Sequence, residues 1–86
     1  MALERDLRRL ADDLGTHIGA ELVAEFVEFV DVGEYGVGLE ILCDRLSDDA
    51  EPLLRREIVA IRALADAMGI DRPSVADLSE LAVEDQ

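Results

Sequence analysis

The chain has 86 residues, of which 21 are acidic and 8 basic, for a formal net charge of −13 and a pI near 4.1. Half of the residues are hydrophobic, which is too many for a disordered acidic tail, and the charge has the wrong sign for direct binding to the phosphates of nucleic acid. The single cysteine, Cys43, excludes an internal disulfide, no zinc-ligand set is present, and no run of about 18 apolar residues is available to span a membrane. The charged stretch from Met1 to Leu14 does not resemble a signal peptide. A small, cytoplasmic, all-α domain is expected, with residues 1–82 as one unit and 83–86 as a frayed tail.

Leu3, Leu7, Leu10, Leu14 and Ile18 recur at helical spacing and predict a first helix with one apolar stripe. Glu4/Arg8, Arg8/Asp12 and Arg9/Asp13 stand four apart on its polar side. Gly15 is expected to end it, and Thr16 to cap the next helix. The second segment, Gly19 to Val32, has a wide apolar face of Leu22, Val23, Phe26, Val27, Phe29 and Val30, with Glu21, Glu25 and Glu28 opposite. Gly33 breaks it. The third, Glu34 to Ser47, carries Val37, Ile41, Leu42 and Leu46.

Residues 26–41 also read as a β-hairpin, because Phe26–Val32 is rich in β-formers and Gly33-Glu34 could form its turn. The helical period of Glu21, Glu25 and Glu28, and the lack of clean alternation in the first arm, favour helix. For the fourth segment, Asp48 or Asp49 is the expected cap and Pro52 a first-turn residue, with Leu54, Ile58, Ile61, Ala65 and Met68 as the stripe. Glu51/Arg55 and Arg62/Asp66 are spaced to pair across its surface. Gly69-Ile70 has the form of a left-handed helix end. Ser74-Val75-Ala76-Asp77 resembles a capping box opening a short C-terminal helix anchored by Leu78 and Leu81. The expected architecture is four main helices and a short fifth.

The charge is concentrated. Between Ala20 and Glu51 there are ten acids and one base, Arg45, so −9 of the −13 falls in 32 residues. Such a stretch either forms a solvated face or docks a basic partner. Catalytic chemistry finds little support. His17 is the only histidine, reads as a surface or capping residue, and has no triad partners. Cys43, beside Leu42, reads as a small packing residue. The calcium-loop spacing is absent, and the glycines at 33, 36 and 38 lack the lysine and strand context of a phosphate loop. The serines at 47, 74 and 79 do not follow the Asp-Ser-Leu pattern of acyl carrier proteins. No cofactor, metal or enzymatic activity is expected.

The segment Phe29–Leu46, with Gly33-Glu34-Tyr35, Leu39-Glu40, Leu42-Cys43-Asp44 and Leu46, resembles the signature of MafI-type bacterial immunity proteins, and Met68-Gly69-Ile70-Asp71 resembles their ending. The likeness covers about residues 20–71. Two departures are Gly38, where the family usually has alanine, and Val32, where a polar residue commonly precedes the glycine. The resemblance implies a small helical cytoplasmic protein that binds and blocks the C-terminal domain of a polymorphic toxin. Glu25, Glu28, Asp31, Glu34, Tyr35, Glu40, Asp44, Asp48 and Asp49 are the candidate contact residues. Several have structural alternatives: Asp31 and Glu34 have capping-box spacing, Glu40 could pair with Arg62, and Tyr35 could simply pack. Charge alone suggests a basic toxin, such as a nuclease, occluded by the acidic face. The alternative is an acidic adaptor or regulator of a basic housekeeping or transcription partner, and the apolar faces of segments two and three leave a homodimer open.

Overall fold

The first stripe folds as predicted. Helix α1 (Leu3–Leu14) buries Leu7, Leu10, Ala11 and Leu14, and Ile18 joins them from the loop that follows. The computed structural model describes residues 2–83. Helices α2 (Ala20–Asp31) and α3 (Tyr35–Asp48) come next, and then a two-residue strand β1 (Leu53–Leu54) leads directly into α4 (Arg55–Ala67). A short α5 (Pro73–Asp77), a 3₁₀ turn (Leu78–Leu81) and strand β2 (Ala82–Val83) complete the described chain. β2 lies parallel to β1, with Leu53 opposite Ala82 and Leu54 opposite Val83. The protein is therefore all-α, with four main helices and a short fifth, and this small strand pair is an addition that the sequence pattern did not suggest. Of the tail expected at 83–86, Val83 is instead part of β2, opposite Leu54, and residues 84–86 lie outside the described residues.

Helices form where hairpin was the alternative. α2 and α3 make the most extensive contact in the molecule, and Gly38 explains how. A Cβ placed on Gly38 would stand 2.6 Å from Phe29 Cβ and 3.3 Å from its Cγ. The missing side chain lets the two backbones approach, at the cost of about 1 kcal/mol in helix propensity. Gly38 against Phe29 and Arg45 against Glu25 set an antiparallel register. Buried Leu22, Phe26 and Val30 face inward with Leu39, Leu42, Cys43 and Leu46. Val37, expected in that stripe, is instead 43 % exposed, and Leu39 takes the core position.

Three helices end with the same hydrogen-bond pattern. At α2, Glu34 N–H donates to Phe29 O (2.9 Å) and Gly33 N–H to Val30 O (3.1 Å) around a left-handed Gly33 with φ 80°. At α4, Ile70 N–H donates to Ala65 O (2.8 Å) and Gly69 N–H to Asp66 O (3.1 Å), with Gly69 at φ 70°, as Gly69-Ile70 predicted. At α3, Glu51 N–H donates to Leu46 O and Ala50 N–H to Ser47 O, but the left-handed residue is Ala50, at φ 51°.

Helix starts depart most from expectation. Thr16 caps nothing ahead of it: its hydroxyl donates to Asp13 O (2.8 Å) behind it, and Gly19 stands at the head of α2. Asp49 closes α3, and Asp48 is its last residue, so neither caps α4. Leu54 occupies the cap position of α4, and Pro52 lies ahead of it, before β1. Leu53, rather than Leu54, is fully buried. Pro73 sits in the first turn of α5 behind Arg72, so Ser74 is inside the helix and not its cap. The expected pairs Arg8/Asp12, Arg9/Asp13, Glu51/Arg55 and Arg62/Asp66 are not ion pairs here. Arg62 donates to Ala76 O (3.0 Å) and the Ser79 hydroxyl (3.4 Å), holding α5 and the 3₁₀ turn onto α4.

Two substitutions test this account. Gly38→Ala places a methyl against a backbone-anchored atom of Phe29, so the helices must separate, and a net loss of about 1–2 kcal/mol is expected in urea denaturation. Ala50→Gly relieves the left-handed strain of an L-residue and is expected to raise stability by about 0.5–1 kcal/mol. An unchanged or lowered midpoint for the glycine variant contradicts the role given to Ala50.

Candidate functional site

The candidate acids divide into those the fold uses and those it leaves to solvent. Glu25 accepts from Arg45 Nη1 at 3.0 Å across the α2–α3 seam. Asp31 accepts from Arg8 Nη2 at 2.8 Å, and Arg8 also binds Glu4 at 2.9 Å, so one guanidinium ties the end of α2 to α1. Tyr35, half-buried, donates its hydroxyl to the other Glu4 oxygen at 3.3 Å and packs against the core. Asp31 and Glu34 do not form the capping box that their spacing suggests. Asp31 is turned to Arg8, and Glu34 stands at the head of α3 without a side-chain cap bond.

Asp44 is the most committed of the nine. Its two oxygens accept from the Ser74 hydroxyl (2.6 Å) and Arg72 Nη2 (2.7 Å), clamping the start of α5 to α3. The hydrogen bond from Ser74, and then that from Arg72, hold its carboxyl below the ordinary carboxylate range against the opposing effect of burial. Its proximity in turn raises Arg72, to which Glu40 also contributes. Glu40 is half-buried and does not pair with Arg62. Next to Asp44, Cys43 is fully buried, and burial pushes its thiol up to about 12. It is a packing residue and not a nucleophile.

Among the described residues, Glu21, Glu28, Glu34, Glu40, Asp48, Asp49 and Glu51 make no ion pair; all but the half-buried Glu40 and Glu51 are exposed. Glu21 and Glu28 share the outward stripe of α2, on the order of 10 Å apart along the axis. The antiparallel register puts the N-terminus of α2, with Glu21, at the same end of the hairpin as Asp48 and Asp49. Those two sit at the negative end of the α3 dipole, where a carboxylate is disfavoured by a few tenths of a kcal/mol or more. Local structure does not call for them there. Glu21 and Glu51 were not among the candidates, although both belong to the same charge run.

One polar cluster escaped the sequence reading altogether. Glu57 is the one buried charged side chain among the described residues, at 1 % exposure. Both its oxygens lie within 2.9 Å of His17 Nε2, and Oε1 also accepts the Leu54 N–H at 2.8 Å. Since a carboxylate only accepts, Nε2 carries the hydrogen. His17 is therefore neither a cap nor a free surface residue: it is the partner that makes a buried acid tolerable. Glu57 lies three residues after Leu54 and four before Ile61, on the apolar face of α4. That position is the one signal that could have revealed it. The described residues contain no group of three or more His, Cys, Asp or Glu side chains placed to hold a metal ion, and no helix long and apolar enough to cross a membrane.

His17→Ala leaves the Glu57 charge without its imidazole and is expected to cost roughly 2–4 kcal/mol, while adding Glu57→Gln in the same chain recovers part of that loss; additive losses in the double variant contradict the coupling. Asp44 gives a pH signature. Because its folded value is depressed, its contribution is fully present above the unfolded carboxylate range and is lost as pH falls through the folded value. Asp44→Asn should therefore flatten the acid limb of the stability curve, measured by thermal melts between about pH 2 and pH 6. Comparison with family models, with curated proteins and with solved structures found no match for the chain.

Proposed function

We propose that this chain is a cytoplasmic immunity protein of the MafI type, which binds the C-terminal domain of a cognate polymorphic toxin and neutralises it without catalysis. The observation that carries the reading is the row of carboxylates left unpaired on the α2–α3 hairpin, with Glu21 and Glu28 on one helix and Asp48 and Asp49 at the end of the other. It flanks the Phe29–Leu46 segment that resembles the family signature, inside the wider likeness over about residues 20–71. Unpaired like charges repel and lower stability, so a face that keeps them is suited to a partner of opposite sign. The mechanism is occlusion: the acidic face covers a basic surface on the toxin. A nuclease fits this chemistry, because its cleft must neutralise phosphates.

Internal pairing narrows the contact residues. Glu25, Asp31 and Asp44 already hold the fold through Arg45, Arg8 and Arg72, so Glu28, Glu34, Asp48 and Asp49 are the stronger contacts. The test is co-expression with the C-terminal domain of the toxin encoded by the neighbouring upstream reading frame. Rescue of growth and a stoichiometric complex are expected. Glu28→Arg with Asp48→Arg is expected to weaken the complex at least tenfold and to flatten its salt dependence. Failure to rescue, with no complex by size-exclusion chromatography, removes the immunity reading; a stable complex with a basic housekeeping factor in its place supports an adaptor.

A further inference from the structure

The acidic face contains an apolar feature that charge alone does not explain. Val32, at the C-terminal end of α2, is 71 % exposed, the most exposed of the large hydrophobic side chains. Its backbone angles, φ −95° and ψ 6°, are open to polar residues, so the turn does not require valine. Together with half-buried Phe29 and with Glu28 it lines a shallow depression of about 180 Å³. Gly38 sets that depression from behind. The backbone of α3 lies directly against Phe29 Cβ and Cγ, so the side chain of Phe29 cannot retreat further into the hairpin.

The surroundings specify the occupant. Glu28 lines the depression itself, and exposed Glu34 follows two residues after Val32 in the turn, its N–H bonded to Phe29 O. Glu21 continues the stripe towards the other end of α2, and exposed Ala24 between them leaves the surface open. Neither Glu21, Glu28 nor Glu34 is neutralised within the described chain. An apolar patch edged by the free carboxylate of Glu28, on a helix that also carries Glu21, disfavours an acidic surface, including a second copy of this chain at −13, and fits a basic one that offers an aliphatic side chain at its centre.

We propose that the Phe29–Val32 depression is the anchoring point of the partner interface, filled by one apolar side chain from a basic protein surface, with Glu21, Glu28 and Glu34 orienting that surface around it. This rests on the reading of the α2–α3 face as a protein-binding surface, and it assigns the short-range part of the binding to two apolar residues while the acids act at longer range. Hot spots of this kind are small, central and surrounded by contacts that exclude water.

The experiment places the photo-crosslinking residue benzoylphenylalanine at exposed position 24, on the same stripe, and separately at exposed position 59 on α4, in cells expressing the full chain, with adducts identified by mass spectrometry. An adduct to a basic protein from position 24 but not from 59, reduced at least tenfold by Val32→Gln and unaffected by Val59→Gln, is the expected result. Both valines are exposed, and equal melting temperatures of the two variants establish that folding is intact. A position-24 adduct that persists in Val32→Gln but is lost in Glu28→Arg overturns the anchor while leaving the acidic face in place. A basic partner that is not a toxin, captured in a Val32-dependent way, retains the anchor and removes the immunity reading. A self-adduct, an acidic partner or no adduct at position 24 overturns the proposal.

Discussion

The carboxylate of Glu57 joins the loop after α1, the end of β1 and the first turn of α4 in one node. A charge removed from water is tolerated only when its lone pairs are met, and here an imidazole and a backbone amide meet them. Because Leu54 has no side-chain oxygen to cap α4, the same carboxylate supplies the reciprocal half of a capping box to the Leu54 amide. Two requirements, helix initiation and docking of the α1–α2 corner, thus converge on one side chain. The position of α1 against α4, and with it the platform on which the α2–α3 hairpin rests, follows from that node together with the leucine stripe.

Arginine does the remaining polar work. Arg8, Arg45 and Arg72 each bridge two elements, joining α1 to α2, α2 to α3 and α3 to the start of α5. Such exposed pairs add little each to stability, but they sort the acids. Those with a bridging arginine within reach are spent on the fold, and the rest give the hairpin its negative surface. The excess charge is thereby concentrated on the hairpin, which holds −9 of the −13.

The helices were legible in the sequence because their apolar stripes are periodic, and the glycine-closed ends of α2 and α4 were legible because the left-handed conformation selects glycine. Their starts were not. Thr16, Asp48, Asp49 and Ser74 all have the side chains that caps require, yet tertiary partners or chain geometry claimed each of them or left it elsewhere. Local chemistry announces what a residue is able to do but not which competing partner lies closest in space. The same limit hid Asp44, whose clamp partners lie 28 and 30 residues away, and the His17–Glu57 pair, 40 residues apart. The acidic candidates were found as a group because charge density survives averaging over a segment; their division into paired and unpaired members did not, because it depends on three arginines brought in from other helices or from across the hairpin.

The missing side chain at Gly38 has a further consequence for how such a surface can change. The glycine contact that fixes α2 on α3 lies on the inward side of α2, at Phe26 and the base of Phe29. Positions 21, 24, 28 and 32 face away from it. Apart from Phe29, which belongs to the seam and also lines the depression, the seam and the outward stripe are therefore written in separate residues of the same helix, and new combinations at four outward positions can be tried without disturbing the packing that holds the hairpin closed. A binder confronted with a partner that varies gains from that separation: it can be readdressed by surface substitutions alone, while the glycine contact keeps the helix that carries them in one place.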